Sequence, residues 1–127
     1  MPAPSTMTVR EYNKLQAEQM PENELLGYVI NCAKAEGWLV VHFRPGRTAH
    51  GWSTPIQGHK GFPDLVLARG TTDADARIIF AELKREKGKL EPPQVEWLDC
   101  LKLMPGVEVY VWRPSDWVSG RIQEVLW

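Results

Sequence analysis

Asp64, Glu82 and Lys84 are the residues of this chain whose types and spacing could do chemistry together. Asp64 follows Pro63, where a glycine-rich stretch gives way to an apolar run, and Glu82-Leu83-Lys84 closes a second apolar run eighteen residues later. Side chains on a strand alternate between faces, so Glu82 and Lys84 share one face while Leu83 takes the other. If the two runs pair as a hairpin, Asp64 comes beside Glu82. Two carboxylates held close repel unless a cation lies between them, and Mg²⁺ takes one or two carboxylates together with waters and phosphate oxygens. Such an ion acidifies a water and neutralises charge on a phosphate, while a fixed ammonium at Lys84 stabilises the transition state. Phosphodiester hydrolysis is the chemistry implied. Singly, the same residues have plainer readings, Pro63-Asp64 as a turn opening a strand and Glu82 with Lys84 as a surface ion pair. The apolar residues Ile78, Ile79, Phe80 and Ala81 ahead of Glu82 favour a site, because a charge ending a buried run needs a partner or a ligand.

The elements that must position these residues can be read from periodicity. Residues 1–20 mix proline, serine, threonine and polar side chains and read as a flexible N-terminal arm with at most a helical turn, leaving 21–127 as a single domain. Leu25, Leu26, Val29, Ile30 and Ala33 recur at helical spacing up to Gly37, which suits a helix stop. The segment 38–43 (WLVVHF) is β-branched and aromatic and predicts a strand, and 44–61, with four glycines and two prolines, predicts a long exposed loop. Two further strands, 64–69 (DLVLAR) and 77–84 (RIIFAELK), flank a turn-rich connector. Their continuous apolar character predicts a sheet covered on both faces. Pro92-Pro93 opens a second helix whose inward face carries Gln94, Leu98 and Leu101, and Pro105-Gly106 ends it. A strand at 107–112 (VEVYVW) and a short amphipathic tail complete the order α-β-β-β-α-β-α, a mixed α/β sandwich.

Bulk properties narrow the function. A chain of 127 residues has room for one core, and 43% apolar with 24% charged residues is an ordinary globular balance. The formal charge of −1 does not advertise a polyanionic partner, so any nucleic-acid surface must come from local segregation. The stretch 42–63 carries Arg44, Arg47, Lys60 and three histidines with no carboxylate, and Arg85 and Lys87 follow Lys84 in a charged connector. Arg44, Arg47, His59, Lys60, Arg85 and Lys87 are the candidate contacts to nucleic acid. The spacing of His42, His50 and His59 does not suggest a metal site, and Cys32 and Cys100 fall in helices as buried thiols. Trp97 and Trp112 read as core, whereas Trp52 in the basic loop could stack on an unpaired base. With no leader pattern and no long apolar segment, a cytoplasmic protein without membrane contact or small-molecule cofactor is expected.

Gly61-Phe62-Pro63-Asp64-Leu65, Ala81-Glu82-Leu83-Lys84 and Gln94-Val95-Glu96-Trp97-Leu98 resemble the VRR-NUC branch of the PD-(D/E)xK nuclease superfamily over about residues 22–118. The resemblance implies a restriction-endonuclease-like α-β-β-β-α-β core with a central mixed sheet flanked by helices. It implies that Asp64, Glu82 and Leu83 hold Mg²⁺ or Mn²⁺, that Lys84 assists the attacking water, and that Gln94 acts close to the site. A first-helix glutamate is expected to join them, with Glu24 the choice and Glu22 the neighbour. The implied activity is a DNA endonuclease of the junction-resolving type, acting on branched DNA as a homodimer, with Leu101, Met104 and the tail from Trp112 as candidate dimer surfaces. Flap or nicking specificity, or a non-catalytic nucleic-acid-binding domain, are the alternatives.

Overall fold

The computed structural model describes residues 6–43 and 57–127, and the backbone of 46–48 and 51–53. Two helices open it, α1 at Val9–Gln19 and α2 at Glu22–Ala35. The strands are β1 (Leu39–His42), the short pair β2 (Gly46–Thr48) and β3 (Gly51–Ser53), β4 (Leu65–Arg69), β5 (Arg77–Leu83) and β6 (Val107–Trp112). The helix α3 (Pro92–Lys102) crosses between β5 and β6, and α4 (Pro114–Val118) and α5 (Arg121–Leu126) follow. The main sheet has the order β1-β4-β5-β6, antiparallel through the first three strands and parallel between β5 and β6. This is the mixed α/β arrangement expected.

Two expectations are corrected. The stretch expected to be a flexible arm contains α1, whose first turn is closed by Thr8 Oγ1 accepting from Glu11 N at 3.1 Å. Its apolar content is too sparse for a periodic signal, yet Ala17 is buried, and α1 packs beside α4. The expected loop 44–61 contains the β2–β3 ladder. Arg44 lies outside the described residues, and the side chains of Arg47 and Trp52 are likewise outside them.

One face of the sheet carries Leu65, Leu67, Ile79, Ala81, Leu83 and Trp112, all buried with Leu25, Val29 and Ala33 of α2 and with Ile122 and Leu126 of α5. The register explains the set, since Leu65 faces Ala81 and Leu67 faces Ile79, and partners across a ladder share a face. On the opposite face, Phe80 meets an aromatic group from the 58–63 loop and α3. Phe62 stands edge-on to Phe80, Phe43 and Trp97, with centroids 5.9, 5.3 and 4.9 Å away. Cover on both faces is thus achieved for β5. At the edge, Leu39 and Val41 of β1 stay 77% and 52% exposed, so the continuous apolar character there does not report burial.

The end of the sheet remote from Lys84 is held by polar contacts. Trp38 Nε1 donates to Leu126 O at 2.9 Å, and the guanidinium groups of Arg69 and Arg77 lie 4.5 and 5.0 Å from its ring centre. Arg77 also makes a two-pronged ion pair with Glu108 at 2.8 and 2.7 Å.

Candidate active site

Asp64 is positioned by the strand it precedes. The ladder between β4 and β5 ends at Leu65 and Ala81, and one step further Asp64 Oδ2 accepts from Leu83 N at 2.8 Å. A side-chain oxygen thus extends the hydrogen bonding where the strand stops. Phe43 N donates to Asp64 O at 3.2 Å from the other side, so both the backbone and the carboxylate of Asp64 are tied down.

The approach of the 61–63 segment depends on Gly61. Its φ of +92° is costly for residues with a side chain, and an added Cβ would lie 2.5 Å from Pro93 C and 2.8 Å from Gln94 N. Glycine therefore lets this loop rest directly on the first turn of α3. Phe62 then fills the aromatic cluster, Pro63 is buried, and Asp64 enters the sheet.

Glu82 is 2% exposed. Gln94 Nε2 donates to Glu82 Oε2 at 2.9 Å, and Lys84 Nζ lies 3.8 Å from the same oxygen. Gln94 is itself fixed, because its Oε1 accepts from Glu91 N at 2.8 Å at the start of α3. The other carboxylate oxygen, Glu82 Oε1, is buried without a hydrogen-bond donor among the described residues. Burial pushes the Glu82 carboxyl up to about 8, and the neighbouring Asp64 charge pushes the same way. Lys84 opposes this rise, and Glu22 adds to it.

Glu22 is the helix carboxylate that reaches this field. Burial raises its affinity for a proton first, Asp64 adds to that, and Lys84 and Arg85 counter it. Glu24 was the expected choice, but it is not among the charges that act on Glu82. Two helical residues turn the chain through about 200°, so Glu22 and Glu24 cannot face the same way. Glu22 heads the stripe continued by the buried Leu25, Val29 and Ala33 at i+3, i+7 and i+11, and that spacing was the available signal.

The site thus unites Asp64, Glu82, Lys84 and Gln94, and adds Glu22. Leu83 can take part only through its main chain, since its side chain is buried in the core. A divalent cation fits the residues present. Asp64, Glu82 and Glu22 share one field with Lys84 and Arg85, and the buried Glu82 oxygen has no donor. Among the described residues no group of three or more histidines, cysteines or carboxylates is close enough to cage an ion unaided.

The expected nucleic-acid contacts divide. His59 and Lys60 line a cavity against α3, whereas Arg85 and Lys87 are exposed on the turn after β5. That turn is shaped by Arg113, whose Nη1 donates to Arg85 O at 2.8 Å and Gly88 O at 2.7 Å, a role not evident in the sequence. Trp112 is core as expected, but Trp97 is only partly buried and Cys100 is exposed, because both lie on the side of α3 that lines the cavity.

The family model described as the VRR-NUC domain matches residues 13–116. A solved structure described as a VRR_NUC domain is 23% identical, with a TM-score of 0.60, covering 80% of this chain and 94% of that one. No curated protein matches.

Proposed function

The chain belongs to the VRR-NUC domain family, a family of nuclease-type domains, and on that premise we propose that it is a divalent-metal-dependent DNA endonuclease. The observation that carries the proposal is Glu82, a buried carboxylate with one oxygen free of donors, set beside Asp64 and Lys84. A binding module gains nothing from directing carboxylates at a polyanion unless a cation intervenes.

Asp64 and Glu82 would hold Mg²⁺ or Mn²⁺, with the main-chain carbonyl of Leu83 as a further oxygen and Glu22 adding negative charge to the same field. When bound, the ion supplies charge neutralisation at the scissile phosphate and acidifies a water for attack. Gln94 keeps the Glu82 carboxylate in one orientation through its amide donor. Lys84 faces the same volume and offers a cation to the phosphate oxygens or a donor to the incoming water. Water adds to phosphorus, the sugar oxygen on the far side leaves, and one strand is cut. The partner is DNA, branched DNA by preference, and paired cuts across a junction require two copies of a chain with one site each.

The test is to incubate the protein with end-labelled four-way junction, flap and linear duplex DNA, in Mg²⁺, Mn²⁺ or EDTA. Cleavage dependent on the metal, strongest on the branched substrates and lost in Asp64→Ala and Lys84→Ala, is expected. Cutting that persists in EDTA or in Asp64→Ala would overturn the mechanism.

A further inference from the structure

On a different side of α3 from Gln94 lies a second feature that phosphodiester hydrolysis does not use. A cavity of about 500 Å³ opens between the 58–60 segment and the outer side of α3, lined by His59, Lys60, Pro93, Glu96, Trp97 and Cys100. We infer that this cavity receives an unpaired nucleobase of the substrate strand, flanking the nucleotide whose phosphate is cut. The inference rests on the nuclease reading above and adds to it a determinant of substrate shape.

The lining decides the occupant. Trp97 and Pro93 both line the cavity, and aromatic side chains take bases of any sequence because every base has a π-face. Lys60 and His59 lie on the loop side, where a strand's phosphate would pass. Glu96 argues against a phosphate inside the cavity, whereas a carboxylate accepts readily from the amino groups of cytosine, adenine or guanine. A base inside with its backbone outside satisfies all of these groups at once.

Position links the cavity to the site. Pro93 lines the cavity, and Gln94, the next residue, donates to Glu82 at 2.9 Å. Trp97 is braced by Phe62, which packs edge-on against it, and its Nε1 donates to His59 O at 3.4 Å. Phe62 stands two residues before Asp64, so the same loop braces the aromatic platform and delivers the carboxylate. A paired base could not enter, since it would have to leave its stack. Ends, flaps and junction arms that release a base would be favoured over intact duplex.

The experiment measures binding in EDTA, so that cleavage plays no part, by fluorescence anisotropy of a blunt duplex and of the same duplex carrying an unpaired tail with 2-aminopurine at its first position. About tenfold tighter binding of the tailed DNA is expected, within the range of one base stacked on an aromatic ring, together with quenching of 2-aminopurine. Cys100→Phe narrows the cavity at the end away from Pro93, without substituting Asp64, Glu82, Lys84 or Gln94. It should abolish the tail preference and the quenching while leaving blunt-duplex affinity within twofold. A second reading needs no substitution: tailed DNA should slow alkylation of the exposed Cys100 by iodoacetamide at least fivefold, and blunt duplex should not. Equal affinity for the two DNAs, a tail preference untouched by Cys100→Phe, or unprotected Cys100 in the tailed complex would each overturn the base pocket. If metal-dependent cleavage of DNA persists in that case, the nuclease reading stands without it. If no DNA is bound or cut at all, both fall together.

Discussion

Leu83 N donates to Asp64 Oδ2 at 2.8 Å across a sequence separation of 19 residues, so the two halves of the site are joined by a single hydrogen bond at the end of a ladder. The residue whose side chain turns away from the site is the one whose main chain fixes its first carboxylate. Alternation along β5 then places Glu82 and Lys84 on either side of that bond. The charges are held by the sheet before any substrate arrives.

Asp64→Asn keeps the size of the side chain but removes the charge. Folding should survive, with a Tm within a few degrees of wild type, because the amide oxygen still accepts from Leu83 N. Cleavage in saturating Mg²⁺ should fall by roughly 10²–10³, the usual cost of losing one preorganised electrostatic group. Single-turnover gels and a thermal melt on the same preparation check both halves.

Gln94→Glu separates capping from positioning. The new carboxylate still accepts from Glu91 N, so α3 should keep its first turn, but Glu82 Oε2 loses its donor and gains a like charge beside it. Cleavage should drop by about 10–100-fold, as for other groups that orient a metal ligand. Partial recovery at raised Mn²⁺ is the expected signature, and unchanged cleavage would remove Gln94 from the positioning machinery.

Metal and pH should act on stability in opposite senses. Burial and the neighbouring Asp64 charge push the Glu82 carboxyl up to about 8 in the folded chain, above its ordinary value in the unfolded one. The folded state therefore binds more protons between those values, and stability from this group is full below the unfolded value and falls as pH rises toward about 8. Mg²⁺ binds the ionised form and should restore it. Differential scanning fluorimetry should show Mg²⁺ raising the Tm more at pH 8 than at pH 5, and an equal effect at both would contradict the assignment.

Gly61→Ala tests the loop that delivers Asp64. A Cβ 2.5 Å from Pro93 C, on a backbone with φ +92°, forces the loop off α3. A loss of about 1–3 kcal/mol in urea unfolding is expected from the backbone conformation alone, with a fall in cleavage larger than stability explains. Gly27, which has nothing within 4 Å of its added Cβ, is the control position.

Trp38→Phe acts at the opposite end of the sheet. It removes the hydrogen bond to Leu126 O and shrinks the ring on which Arg69 and Arg77 lie. Stability should fall by about 1–3 kcal/mol, a lost hydrogen bond plus lost packing. Cleavage per folded molecule should be unchanged, which a titration of active sites alongside chemical unfolding would show.

By itself the sequence determined the central motif and most of the elements. Strand alternation is local, so Glu82-Leu83-Lys84 already implied a shared face for the two charges. Apolar periodicity likewise reported α2, α3, β4, β5 and β6. Local signals failed where burial is sparse or shared. Helix α1 buries little beyond Ala17 and shows no stripe, and the β1 edge carries exposed Leu39 and Val41 that read like core. Only the tertiary structure decided that Glu22 and not Glu24 joins the field of the site, because that depends on how α2 is rotated against the end of β5. It also decided that Trp97 and Cys100 line a cavity, since a helix's periodicity marks its apolar side without naming what lies opposite. The Leu83–Asp64 bond belongs to the same class: a main-chain donor has no sequence signature, and its partner is set by where one strand ends beside another.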